Sequence, residues 1–199
     1  MDPRSVFDLT LPHEYEVDLA QELPGSGQGV IYHPGASRTS GQDGLRWRFE
    51  PVGAQEWLGC FAFGHPFPSY SLTGVLATPN VHYACVMSRG TAYWVNARQP
   101  TDCRILHLLP VLNARILAEQ KLVLLSDFVT LALVGDNGEL WRSSRLCWDD
   151  LRILRIEDGI VSGVGYDPTN SHTWESAFRV DLKTRTVLKS GYPPELGTL

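Results

Sequence analysis

The stretch Lys121–Asp150, KLVLLSDFVTLALVGDNGELWRSSRLCWDD, decides the fold. It holds two strongly apolar runs joined by a turn with specific chemistry. Asn137-Gly138 stands between Leu131–Val134 and Leu140-Trp141, and Asn-Gly takes readily the two positive φ values that a tight type I′ hairpin needs. The stretch therefore reads as a hairpin. Apolar strand, glycine turn and aromatic-bearing strand recur in that order on both sides of it, so the chain reads as copies of one β unit.

Working toward the C-terminus, Leu146–Ile156 continues this third unit through Trp148 and the pair Asp149-Asp150. Glu157-Asp158-Gly159 turns the chain into a fourth unit, whose strand Ile160–Tyr166 carries Gly163 and Gly165. Glycines inside a strand mark a bulge or a close backbone approach. After the loop Asp167–His172, Phe178, Val180 and Leu182 alternate inward against Arg179, Asp181 and Lys183. Arg185–Lys189 is the last strand, and 191–199 is a tail.

Toward the N-terminus, Val111–Leu125 is where helix competes, with Asn113 a possible cap. The repeat favours two strands, Arg115–Ala118 and Lys121–Ser126, turned at Glu119-Gln120. Unit two, Leu72–His107, contains Val81–Met87, the turn Ser88-Arg89-Gly90 and Thr91–Asn96 with Tyr93 and Trp94. Gly64–Tyr70, GHPFPSY, is a loop, because its prolines exclude it from a central sheet. Unit one alternates Leu45, Trp47 and Phe49 with Arg46, Arg48 and Glu50, then runs through Trp57–Phe63. Residues 1–29 form an irregular N-terminal segment with an alternating piece at Tyr15–Leu19. Its run PGSGQG lacks the Lys-Ser/Thr that ends a phosphate loop and reads as a connection.

Placing Gly90 and Trp94 over Gly138 and Trp141 gives offsets of 48 and 47 residues, and Trp141 to Phe178 gives 37. Units of roughly 40 to 50 residues with three or four strands are the pattern of propeller blades. The expectation is one all-β domain, 1–199, built as a propeller-like array of about four antiparallel units, with Tyr15–Leu19 available to complete the last unit. A β-sandwich is the alternative.

Composition agrees: thirteen prolines, eighteen glycines and six tryptophans in 199 residues favour short strands and turns. A net charge of −5 with scattered cations offers no basic stripe for phosphates. Nucleic acid and anionic membrane are thus poor partners, and a basic partner fits better. MDPRSVFDLTLPHEYE has no apolar core of signal length, and no segment reaches the roughly 20 apolar residues of a membrane helix. The expected place is the cytoplasm, where Cys60, Cys85, Cys103 and Cys147 would be reduced, buried thiols.

The segments Trp141-Arg142-Ser143, Arg145-Leu146, Trp148–Ile153, Gly159–Asp167 and Phe178–Leu182 resemble the repeat style of uncharacterised bacterial propeller-like proteins. The resemblance covers the last third of the chain and rests on turn and core positions. It implies the fold and a bacterial source and carries no catalytic residue over. Some small bacterial proteins of this look are suspected antitoxins or binding partners.

Few residues suggest chemistry. His82-x2-Cys85 with Cys103-x3-His107 mimics zinc spacing. On a strand, however, residues three apart face opposite ways, so neither a metal nor a cofactor is expected. The carboxylates Asp127, Asp136, Asp149, Asp150, Glu157, Asp158 and Asp167 sit at predicted turns, where Asp bonds its own backbone. No Gly-x-Ser-x-Gly elbow is present. Trp47, Trp94 and Trp141 recur as a core layer. The candidate contact residues are Phe67 and Tyr70 in the proline loop, Trp148, Asp149 and Asp150, and Trp174. They point to a non-catalytic protein-interaction module, an immunity or adaptor protein being the form considered. The alternative is a hydrolase using turn carboxylates with His82 or His172.

Overall fold

Strict alternation in some strands and unbroken apolar runs in others set how the sheets lie. A computed structural model describes residues 5–20, 29–34, 43–65 and 71–193. Among them every regular element is a strand, and no helix is long and apolar enough to cross a membrane.

Strand β1 (Ser5–Asp8) leaves its neighbours and pairs in parallel with β6 (Thr73–Ala77) of the second sheet. The first sheet is ordered β2 (Tyr15–Leu19), β4 (Gly44–Pro51), β5 (Trp57–Ala62), β3 (Val30–Tyr32), the last pair parallel. The second runs from β1 and β6 through β7 (Tyr83–Ser88) and β8 (Thr91–Asn96) to β9 (Cys103–Leu106). The third is the meander β10 (Asn113–Leu117), β11 (Leu122–Ser126), β12 (Leu131–Val134), β13 (Leu140–Arg142). The fourth is β14 (Asp149–Glu157), β15 (Ile160–Tyr166), β16 (Glu175–Asp181), β17 (Thr186–Lys189).

Three apolar layers join these four sheets in chain order. Phe49, Trp57 and Phe61 meet Val75, Val86 and Tyr93 between the first and second sheets. Leu76, Cys85 and Trp94 meet Val123, Leu125 and Ala132 between the second and third. Leu124, Leu131 and Leu133 meet Val161, Phe178 and Val180 between the third and fourth. The inner sheets are therefore covered on both faces, which is why β7, β8 and β12 read as unbroken apolar runs. β16 alternates because the far face of the fourth sheet meets solvent. The stacking suits a repeat array and a layered sandwich alike. Among the described residues no apolar cluster joins the first sheet to the fourth.

Several sequence expectations are adjusted here. Tyr15–Leu19 pairs with β4 in the first sheet instead of completing the last unit. The N-terminal segment supplies two strands, β1 and β2. Asp149–Glu157 opens the fourth sheet rather than closing the third, because it pairs with β15. The hairpin at Asn137-Gly138 is real but is not type I′. Gly138 alone of the two has positive φ, +69°, and its N–H donates to Gly135 O at 3.0 Å across a longer loop. The strand pairing ends at Val134 opposite Leu140, which leaves 135–139 as the loop, and packing keeps position 138 a glycine: a Cβ there would stand 2.1 Å from Arg104 Nη2 and 2.7 Å from Trp94 Nε1. Gly163 meets its expectation, since a Cβ there would lie 2.2 Å from Arg152 O. The strands expected between Val111 and Leu125 form, at Asn113–Leu117 and from Leu122.

Candidate functional site

Register on the far face of the fourth sheet gathers residues well separated in sequence. Asp149 stands opposite Tyr166, and Tyr166 opposite Glu175. Paired residues of neighbouring strands share a face, so these three side chains form one row. Arg152, opposite Val164 in the next row, pairs with Glu175 and reaches Asp150 at 3.3 Å. Its guanidinium is held more firmly protonated, first by the hydrogen bond to Glu175 and then by that residue's charge. Asp150 and Glu175 share this one guanidinium, and the Asp149 carboxylate stands in the neighbouring row, so carboxylates are in excess at this end. Further along the same face Arg155, Arg179 and Lys189 share one register row with Ser162, with Glu157 3.5 Å from Arg155. Register thus lines up cations that look scattered in the sequence, and the face has a negative end and a positive middle.

Trp174 completes the negative end. Its ring lies nearly parallel to that of Tyr166, 12° between planes and 6.5 Å between centroids. Both are open to solvent, Trp174 at 52% and Tyr166 at 41%. The Trp174 backbone has φ +57°, a left-handed conformation that costs an L-residue ~1–2 kcal/mol and is rare for a bulky one. Backbone preference does not account for a tryptophan here, and half of its surface stays open to water.

The loop that imposes this conformation is closed on itself. Thr169 donates to Asp167 Oδ1 from its N–H at 2.9 Å and its hydroxyl at 2.6 Å. The hydroxyl first, then the N–H, holds the Asp167 carboxyl below the usual range. Asp167 N–H donates to Trp174 O at 2.9 Å, and Trp174 N–H to Asn170 O at 2.8 Å. Asn170 Nδ2 donates to Thr173 Oγ1 at 2.8 Å and Glu175 O at 2.7 Å. A loop so bonded presents its tryptophan already ordered, which lowers the entropy lost on binding.

Of the residues singled out from sequence, Asp149, Asp150 and Trp174 come together here. Asp150 also takes positive φ, +50°, which Asp tolerates better than most residues. Trp148 is adjacent in the chain and donates its N–H to Tyr166 O at 3.1 Å. Its ring, however, meets Tyr192 edge-on at 4.9 Å, and its indole nitrogen is buried without a partner. It packs against Tyr192, just after β17. Phe67 and Tyr70 lie outside the described residues. Tyr166 and Glu175 were missed by sequence reasoning, since only the register across the 167–174 loop puts them beside Asp149.

The other candidates scatter. His82 lies 3.5 Å from Glu14, beside the first two sheets, while His172 sits on the Trp174 loop. Cys85 faces the third sheet and Cys103 the first, on opposite faces of one sheet. Burial pushes the thiols of Cys85 and Cys103 up to about 12. Among the described residues no three His, Cys, Asp or Glu side chains form a metal-binding group. Asp127, buried in the third sheet, accepts from Thr130 N–H at 2.6 Å and Arg142 Nη2 at 2.6 Å and is structural. A cleft of about 700 Å³ at the first sheet has its charges already paired, Arg48 with Glu56 at 3.2 Å and Arg98 with Glu14 at 2.6 Å.

Comparison of the chain with protein-family models, with curated proteins and with solved structures returned no match. The site's own chemistry therefore carries the functional argument.

Proposed function

We propose that the protein is a non-catalytic interaction module that binds another protein through the Tyr166–Trp174 end of its fourth sheet. The observation that carries this reading is Trp174 itself, a large apolar ring half open to water on a backbone that disfavours it. Strained, exposed residues concentrate where a ligand uses them. Tryptophan and tyrosine are also the side chains that dominate binding hot spots. Asp149, Asp150, Arg152 and Glu175 form the polar rim that such a centre needs. An adaptor or immunity role, in a bacterial cytoplasm, is the form this reading takes alongside the repeat style of the last third of the chain.

The test is affinity capture from lysate of the source organism with the unaltered chain and with Trp174→Gly. The proposal expects a stoichiometric protein retained by the first and lost from the second. Equal retention by both would remove this surface from the account.

A further inference from the structure

Resting on that binding surface, we infer that its occupant is a cationic side chain, above all an arginine, presented by a basic segment of the partner and laid on the Tyr166–Trp174 pair. Three observations carry this. Both rings are electron-rich and about half open to solvent, tryptophan is the ring that attracts a cation best, and arginine is the cation most often found there. The carboxylates of Asp149, Asp150 and Glu175 outnumber the two guanidinium groups near them, Arg152 and Arg145, the second of which is taken up by the Cys147 and Trp148 carbonyls and the Tyr192 ring. Arg152 is held between Asp150 and Glu175, and among the described residues no cation lies over either ring.

The chain itself shows how it covers rings elsewhere. Arg89 lies 3.7 Å over the Phe63 ring, and Arg145 lies 4.6 Å over Tyr192. At Tyr166–Trp174 the rings and the surplus carboxylates are present and the guanidinium is not. Asp149 uses one oxygen to accept the Asp150 N–H at 2.8 Å. Its exposed position leaves its other acceptor sites for a partner. An acidic or nucleic-acid partner would meet negative charge at this end, and the overall charge of −5 would oppose its approach.

The experiment uses the full chain labelled with nitrogen-15, following the Trp174 indole resonance, assigned by its loss in Trp174→Phe. N-acetyl-arginine amide is titrated in parallel with N-acetyl-glutamine amide and N-acetyl-glutamate amide. The arginine probe should shift the resonance saturably and bind about threefold or more tighter than the glutamine probe. Asp149→Asn with Asp150→Asn, both exposed, should weaken it about threefold, with the remaining indole resonances unmoved as a check of fold. Equal binding of the glutamine or glutamate probe, or no saturable shift with arginine, overturns the inference. A captured partner that needs Trp174 but ignores the two Asn substitutions and added salt would overturn the cation and leave the binding surface standing. A partner held equally by Trp174→Gly would overturn both.

Discussion

Replacing Trp174 with glycine should cost the fold about 1–4.5 kcal/mol while removing its binding. Releasing the left-handed backbone at φ +57° returns ~1–2 kcal/mol. Against this, glycine's freedom in the unfolded chain costs about 0.5–1 kcal/mol, and the stacking on Tyr166 is worth about 0.5–1.5 kcal/mol. The half of the side chain that is buried adds roughly 2–3 kcal/mol at about 25 cal/mol per Å². The net is a loss of about 1–4.5 kcal/mol, each kcal/mol being worth about 2–4 °C in Tm for a chain of this size. The contrast is Phe178→Ala in the buried layer between the third and fourth sheets, expected to lose about 3–5 kcal/mol. Urea unfolding followed by far-ultraviolet circular dichroism measures both. A loss above about 4.5 kcal/mol for Trp174→Gly would show a tryptophan held by the fold beyond these terms and refute the reasoning.

His33 is buried, stacked 4.3 Å from Phe61, with Nε2 unpartnered, and burial lowers its pKa to about 4. The unfolded chain takes up that proton first, so stability should be full above about pH 6.5 and fall by about 1.4 kcal/mol per pH unit toward pH 4. Urea midpoints across that range should be flatter for His33→Phe, and identical slopes would contradict the assignment. Gly138→Ala, with its Cβ driven against Trp94 and Arg104, should cost at least about 1–2 kcal/mol by the same unfolding assay. Asp127→Ala strands the Thr130 and Val129 N–H groups and the Arg142 guanidinium, and a loss of about 2–4 kcal/mol is expected in a thermal melt. Cys85, wholly buried with its thiol pushed up to about 12, should resist a thiol reagent in the native state and react fully in urea.

The strands were legible because local patterning suffices for them. Phe178, Val180 and Leu182 announce a half-buried strand, and the glycines of Ile160–Tyr166 mark where Arg152 O and the Cys147 side chain come close. Turn geometry was less legible. Asn137-Gly138 favours type I′ by itself, yet the pairing stops at Val134 opposite Leu140 and leaves a longer loop, a register that the dipeptide alone does not reveal. The parallel pairing of β1 with β6 joins residues nearly seventy positions apart and leaves no local signal.

The candidate site was legible only in part, for the same reason. Trp174 and Asp149-Asp150 stand out as unusual residues near turns, whereas Tyr166 and Glu175 look like ordinary strand positions. Their meeting depends on the register that the closed Asp167–Trp174 loop imposes on β15 and β16. Trp148 shows the converse: its setting resembles that of Trp174, but Tyr192, just after β17, returns to cover it. The positive φ of Trp174 is also invisible in sequence, because tryptophan carries no preference for it.

The most direct test of the binding surface is site-specific photocrosslinking. The photoreactive residue p-benzoylphenylalanine is placed at 174 in one protein and at 188 in another, both half-exposed positions flanking or within the fourth sheet, each at 52%. After irradiation in lysate of the source organism, position 174 should give one discrete protein adduct that added unaltered chain competes away, and position 188 should give none. Adducts from 188 alone, or from neither position while a partner is still captured, would contradict the account.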